Sequence, residues 1–323
     1  MEQAAEPQAE AEPEVKPEAG PEPEAACTPL EGARRVLQHL VQQARAVLGA
    51  DLVGAYQVGS FALGGADAAS DVDFLIVTEH EPDPGQEAGL RRLHAHLPDQ
   101  PHLPAPWAGH LEGSYAPRGQ LRHPPAPPHG RGPGPASGPR PGPGRERERG
   151  WLYVDNGQRH LQRSRHDDTL AVRWVAREHG IVLTGPHPTS LIDPVSAQQL
   201  RADALQVLAA WDRDLAQRPG QFGTVWAQHQ HVLGLCRLLH RSRHGVVSTK
   251  TAAGRWALNV LHARWHPLIR AAIDGRGQGW ARLHQSLGAG AVQATHAFHE
   301  HVVARAGLRL DPPDPLDPLD AAS

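Results

Sequence analysis

The sequence predicts an α/β (α+β) domain built on a small mixed sheet, followed by an all-α helical bundle. Three observations lead there. Two short apolar runs, residues 52–58 and 71–77, have the length and pattern of buried strands. Before them, Leu37, Leu40, Val41, Ala44, Val47 and Leu48 fall on one face of a helix over 31–48. From Asp168 onward, apolar residues recur at helical spacing, as in Val232, Leu235, Cys236 and Leu239 at i, i+3, i+4 and i+7.

The elements follow in order. Residues 1–28 are Glu, Pro and Ala with almost no large apolar side chains, too few to offset the entropy of ordering, and are expected to be a disordered acidic leader. The first domain is expected over 29–116. It holds the helix over 31–48, the strand over 52–58, one or two helical turns from Phe61 to Gly65, the strand over 71–77, a helix over 86–97 and a short strand over 109–115. Residues 117–150 are dominated by Pro, Gly and Arg. Proline removes donors and fixes φ, so this stretch reads as a flexible or polyproline-like linker. A mainly helical domain is expected over 151–306, with helices near 196–216, 224–243, 249–262 and 280–305, and a disordered tail over 307–323. Most tryptophans fall to its core; Trp211 and Trp226 are candidates for a cleft. His296, His299 and His301 resemble a metal motif but lack the order of a zinc-protease helix, and read as a solvated face.

Composition excludes several classes. A net charge of −3 gives no global basic field, so no long nucleic acid is expected. Two cysteines, Cys27 and Cys236, exclude a disulfide framework and a Cys-based zinc site. No apolar stretch is long enough for a membrane span, and Met1-Glu2-Gln3 opens no secretory signal, so a cytoplasmic, monomeric protein is the expectation.

One constellation carries chemistry: Gly59-Ser60, then Ser70-Asp71-Val72-Asp73. Gly59 has no Cβ, which lets backbone approach a phosphate. Ser60 stands where free N–H groups at a helix start favour anions. Asp71 and Asp73 are i and i+2 on a strand, so both project from one face. Two adjacent carboxylates repel unless a divalent cation lies between them, and hard oxygen ligands suit Mg²⁺ completed by water and substrate phosphates. A phosphate grip beside a metal grip is what phosphoryl or nucleotidyl transfer needs.

This pattern resembles the nucleotidyltransferase superfamily typified by DNA polymerase β, at Gly59, Ser60, Asp71 and Asp73. Further segments resemble the aminoglycoside adenylyltransferases of the streptomycin/spectinomycin type. These are His166-Asp167-Asp168 with Ala171 to Arg177, then His179 to Pro186, Asp193-Pro194-Val195, Leu235 to Leu239, and Gly245 to Lys250 with Ala252 to Ala257.

The resemblance implies transfer of a nucleoside monophosphate, AMP from ATP, to a hydroxyl of a small-molecule acceptor such as an aminoglycoside. Asp71 and Asp73 would hold Mg²⁺, and Gly59, Ser60, Ser70 and Lys250 the nucleotide. Glu112 would be the third carboxylate, completing the metal site or taking the hydroxyl proton. Asp168 and Trp226 would line the acceptor cleft, and Arg237 is either structural or phosphate-facing. Two departures bear on the acceptor. The stretch from Gly220 to His229 has no carboxylate, and the region Ala272-Ile273-Asp274 stands where the family has a tyrosine. A cleft short of carboxylates should hold a polycation weakly. A protein or RNA acceptor, or a nucleotide-binding pseudoenzyme, are the other readings.

Overall fold

The computed structural model describes residues 28–67, 70–123, 150–218, 220, 222–276 and 285–308. The leader up to residue 27, the tail from residue 309, Trp280 and most of the expected linker lie outside the described residues.

Thr28 and Glu31 cap the first helix, α1 (Pro29–Leu48), reciprocally: each side chain accepts the other's backbone N–H. Val36, Leu37, Leu40 and Ala44 on one stripe of α1 are fully buried. There follow β1 (Leu52–Gln57), the single turn α2 (Gly59–Ala62), β2 (Val72–Thr78), α3 (Pro84–His96), α4 (Ala105–Ala108), β3 (Leu111–Pro117) and α5 (Arg118–Arg122). Then come β4 (Trp151–Val154), β5 (Gln162–Ser164), α6 (Leu170–His179) and β6 (Ile181–Thr184).

The six strands form one mixed sheet in the order β5-β4-β3-β2-β1-β6. Only β2 and β3 pair in parallel; the other neighbours are antiparallel. Successive side chains face opposite ways. Ala55, Phe74, Ile76 and Tyr115 share a core with α1, while Tyr56, Leu75, Val77 and Ala116 share another with α6. Burial on both faces explains why β1 and β2 read as nearly continuous apolar runs.

The sheet is larger than the sequence suggested. Trp151 to Val154 was expected to open the helical part; instead β4 pairs with β3, and β5 and β6 extend the sheet at its two edges. Within 117–150, Arg118 to Arg122 is helical rather than linker, and Leu121 is fully buried.

The helical part comprises α7 (Ala197–Gln217), α8 (Val225–His244), α9 (Lys250–Val260), α10 (His266–Gly275) and α11 (Ala289–Arg305), of which α10 was not anticipated. The central helix is α8, packed on the other four, with Val232, Leu235, Cys236 and Leu239 fully buried as their spacing predicts. The histidines of α11 are not a solvated face. His299 is fully buried and stacks on His231, with ring centroids 5.1 Å apart. Its Nδ1 lies 2.9 Å from His231 Nε2, and its Nε2 lies 3.3 Å from Asp212 Oδ1. Such a chain satisfies buried polar atoms that α8 and α11 would otherwise strand. Trp211 stacks on His231 and belongs to this core, not to a cleft.

A third apolar cluster joins the two parts. Val58, Leu75 and Val77 of the sheet side pack with Val175 of α6, Leu200 of α7 and Val247, just before α9. This shared core sets the start of α9 opposite the ends of β1 and β2, where the cavity described next opens.

Candidate active site

A cavity of about 250 Å³ lies between the sheet and the start of α9. Gly59, Ser60, Ser70, Asp71, Asp73 and Glu112 line it from the sheet side, and Lys250 and Arg237 from the helical side. The structure therefore brings together every expected nucleotide and metal residue. Asp168 and Trp226 do not line it.

Gly59 has φ +65°, and a Cβ there would stand 1.9 Å from Asp73 Oδ2. The glycine is thus required by a left-handed backbone and by the Asp73 carboxylate packed against it. The strand register sets Glu112 on β3 directly beside Asp73 on β2. Gly113 follows with φ +153°, and a Cβ there would meet the Phe74 carbonyl oxygen at 2.1 Å. Close backbone packing here holds Glu112 next to the Asp pair.

The carboxylates are in electrostatic conflict. Burial first, then the Glu112 charge, pushes Asp71 up to about 7, against the pull of Lys250 and Arg276. Asp73 is raised well above its ordinary value by burial, then by Glu112 and Asp71. Asn156 Nδ2 donates to Asp71 Oδ1 at 2.6 Å and fixes its orientation. Burial also acts to raise Glu112, but the hydrogen bond and charge of His166, the Tyr153 hydroxyl and Lys250 outweigh it and hold Glu112 low. The Tyr153 hydroxyl donates at 2.7 Å, and His166 Nε2 lies 3.3 Å away with its ring stacked on Tyr153. Glu112 is therefore the carboxylate kept ionised.

Lys250 is the first residue of α9, whose N-cap Thr249 accepts from Ala252 N–H. A cation at a helix start opposes the macrodipole, and burial lowers its pKa, with Asp71 acting in the opposite direction. The position costs the fold, which marks the carboxylates opposite as its reason. Arg237, in α8, is lowered to about 10, chiefly by burial.

Among the described residues, no three His, Cys, Asp or Glu side chains form a metal cage. The donor chemistry fits a hard divalent ion held by Asp71 and Asp73 and completed by water and phosphate oxygens, the mode of Mg²⁺. The elevated pKa values of this pair are the strain that such an ion would relieve.

Asp168 and Asp167 separate. Asp168 Oδ1 accepts from Arg173 Nη2 at 2.7 Å. Arg173 is almost fully buried, bonds the Gln120 and Leu121 carbonyls and lies over the Trp151 ring. Asp168 thus neutralises a buried cation and does not face the cavity. Its neighbour Asp167 does, held by the Ser114 hydroxyl at 2.7 Å and raised to about 6, chiefly by burial. Trp226 is half-buried near the start of α8 and is not among the lining residues. The sequence reading missed His166 and Asp167 as lining residues and Tyr153, Asn156 and Arg276 altogether. The Tyr-Val-Asp-Asn run at 153–156 carries a phenol, a carboxylate and an amide, but only the pairing of β4 with β3 shows where they point.

Comparison with known proteins matches two parts of the chain. Residues 41–100 match the family model described as "Nucleotidyltransferase domain", and residues 190–297 match "Aminoglycoside adenylyltransferase, C-terminal domain". The chain is 31% identical over 99 residues to an aminoglycoside (3'') (9) adenylyltransferase of Klebsiella pneumoniae, covering 30% of this chain and 34% of that one. The corresponding Rhizobium radiobacter protein is 30% identical over the same length and share. The match thus spans about a third of these curated relatives. Among solved structures, the fold is shared with spectinomycin adenyltransferase AAD(9) from Enterococcus faecialis, solved with ATP and spectinomycin. Its TM-score is 0.54 at 13% identity, covering 83% of this chain and 98% of that one. The two family models thus match in this order along one chain, a nucleotidyltransferase domain followed by an aminoglycoside-adenylyltransferase C-terminal domain.

Proposed function

We propose that this protein transfers AMP from ATP to a hydroxyl group of a small cationic acceptor, an aminoglycoside, with Mg²⁺ bound at Asp71 and Asp73. The observation that carries the reading is one cavity whose sheet wall presents Asp71, Asp73 and Glu112 and whose helical wall presents Lys250 and Arg237.

Each residue then has a task. The α2 turn with Ser60, together with Ser70, seats the phosphates, and Gly59 keeps the backbone clear of Asp73. Asp71 and Asp73 would hold the divalent cation, which when bound would supply neutralisation of phosphate charge. Glu112, kept ionised by His166 and Tyr153, takes the proton of the attacking hydroxyl. The hydroxyl oxygen forms its bond to the α-phosphorus as the bond to the bridging oxygen breaks, and pyrophosphate leaves. Lys250 and Arg237 face that leaving group and stabilise its charge.

The acceptor reading rests on charge. The stretch from Gly220 to His229 lacks carboxylates, but Asp167 lies on the cavity wall next to Glu112, and Asp155 accepts from the Tyr153 hydroxyl that also holds Glu112. An acidic wall of this kind favours amines. The family models and the names of the relatives point the same way. Mass spectrometry of streptomycin and spectinomycin incubated with the protein and Mg-ATP tests the reading. A product one AMP heavier supports it; no adduct on either drug rejects the aminoglycoside acceptor.

A further inference from the structure

We infer that Arg276 is a phosphate-binding side chain, held on Asp67 until the nucleotide arrives, and that it seats the polyphosphate together with Lys250 and Arg237. This rests on the reading of the cavity as a nucleotide site.

Arg276 follows α10 in the helical part and reaches across to the loop between α2 and β2. Its Nε lies 2.7 Å from Asp67 Oδ2 and its Nη2 lies 2.9 Å from Asp67 Oδ1, a bidentate pair. Nη2 also lies 3.4 Å from Ser70 Oγ, whose hydroxyl donates to Asp67 Oδ1 at 3.0 Å. Among the described residues Nη1 makes no hydrogen bond, although the side chain is only 11% exposed and lines the cavity. Two observations point to an anion. First, Arg276, Arg237 and Lys250 line one cavity, and the Arg276 charge acts against those of both Arg237 and Lys250, an arrangement that a multiply charged anion relieves. Second, the Asp67 partner is about three times as exposed, at 31%, and sits on the loop that runs from the Gly-Ser turn to Ser70. A planar fork that binds a carboxylate bidentately binds a phosphate in the same geometry. Exchanging Asp67 for phosphate would then couple nucleotide entry to the contact between the sheet and helical parts.

Calorimetric titration of the full chain with ATP and with adenosine tests this, using the parent, R276A, R276K, D67N and K250A. R276A should weaken ATP binding about tenfold or more and leave adenosine unchanged. D67N removes the competing carboxylate and should bind ATP at least as tightly as the parent. R276K keeps charge without the fork and should fall between R276A and the parent, which preserves the test if R276A does not fold. ATP affinity in R276A or R276K equal to the parent's overturns the inference. So does a D67N variant weakened as much as R276A, since the pair would then be only a structural latch. A parent that binds no ATP overturns the nucleotide reading itself. A K250A loss with R276A unaffected overturns only the role of Arg276.

Discussion

The two walls of the cavity are built on opposite terms. The sheet wall gathers Asp71, Asp73, Glu112 and Asp167 on buried strand ends and the loop before α6; the helical wall gathers Lys250, Arg237 and Arg276. Neither would be stable facing itself: burial and like charge raise the Asp pair, and burial depresses Lys250 and Arg237. The buried polar chain Asp212–His299–His231 in the helical core, by contrast, closes on itself. The difference separates a polar cluster that serves the fold from one shaped for a ligand. The first pairs its groups internally, and the second leaves charge to be met by something that enters.

Breaking the sheet wall has the largest expected effect. Asp73→Asn should lower turnover about a thousandfold, the order expected when several kcal/mol of transition-state stabilisation is lost. The melting temperature of the metal-free protein should hold or rise, because one of the repelling charges is gone. Steady-state kinetics and thermal melts read both effects.

The neighbouring pair Asp167 and Asp168 sharpens the comparison. Asp168→Asn strips the buried Arg173 of its counter-ion and should cost about 1–3 kcal/mol of stability, with kcat/KM of the folded fraction retained. Asp167→Asn should leave the melt nearly unchanged and raise the KM for a cationic acceptor about tenfold at pH 8, some 1.4 kcal/mol. Since Asp167 titrates near 6, that difference should shrink as pH falls through 6. Equal loss of stability in both variants would undo the assignment.

The smallest effect is a pH dependence. Asp71 is raised from its ordinary 3.8 to about 7 in the folded protein, so its stabilising contribution is full at low pH and lost as pH rises through 7. Ionisation over the same range would supply the charge that the proposed cation site needs. The gap in melting temperature between Mg²⁺-loaded and metal-free protein should therefore widen from pH 6 to pH 8; a constant gap would contradict the Asp pair as the metal site.

Much of the sheet wall was legible because it is local. Gly59, Ser60, Asp71 and Asp73 fall within two short strands and one turn, so strand alternation alone puts the carboxylates on one face. The helical bundle was legible from periodicity, as α8 shows. What was not legible depends on long-range pairing. Nothing within Trp151 to Val154 says that it joins β3, and with it go the Tyr153 and Asn156 contacts to Glu112 and Asp71. The choice between Asp167 and Asp168 turns on the path of the loop before α6, set by where Arg173 and Ser114 are buried. Arg276 could be placed only by the fold that brings the end of α10 within reach of Asp67.

The most direct test of the account is pyrophosphate release from Mg-ATP by the purified protein, with streptomycin or spectinomycin present, in parent, Asp73→Asn and Lys250→Ala. The account predicts release that requires Mg²⁺ and an acceptor, is abolished by Asp73→Asn and is strongly reduced by Lys250→Ala. Release that persists in Asp73→Asn, or no release from the parent with any acceptor tried, would contradict the claim that the two walls form one nucleotidyl-transfer site.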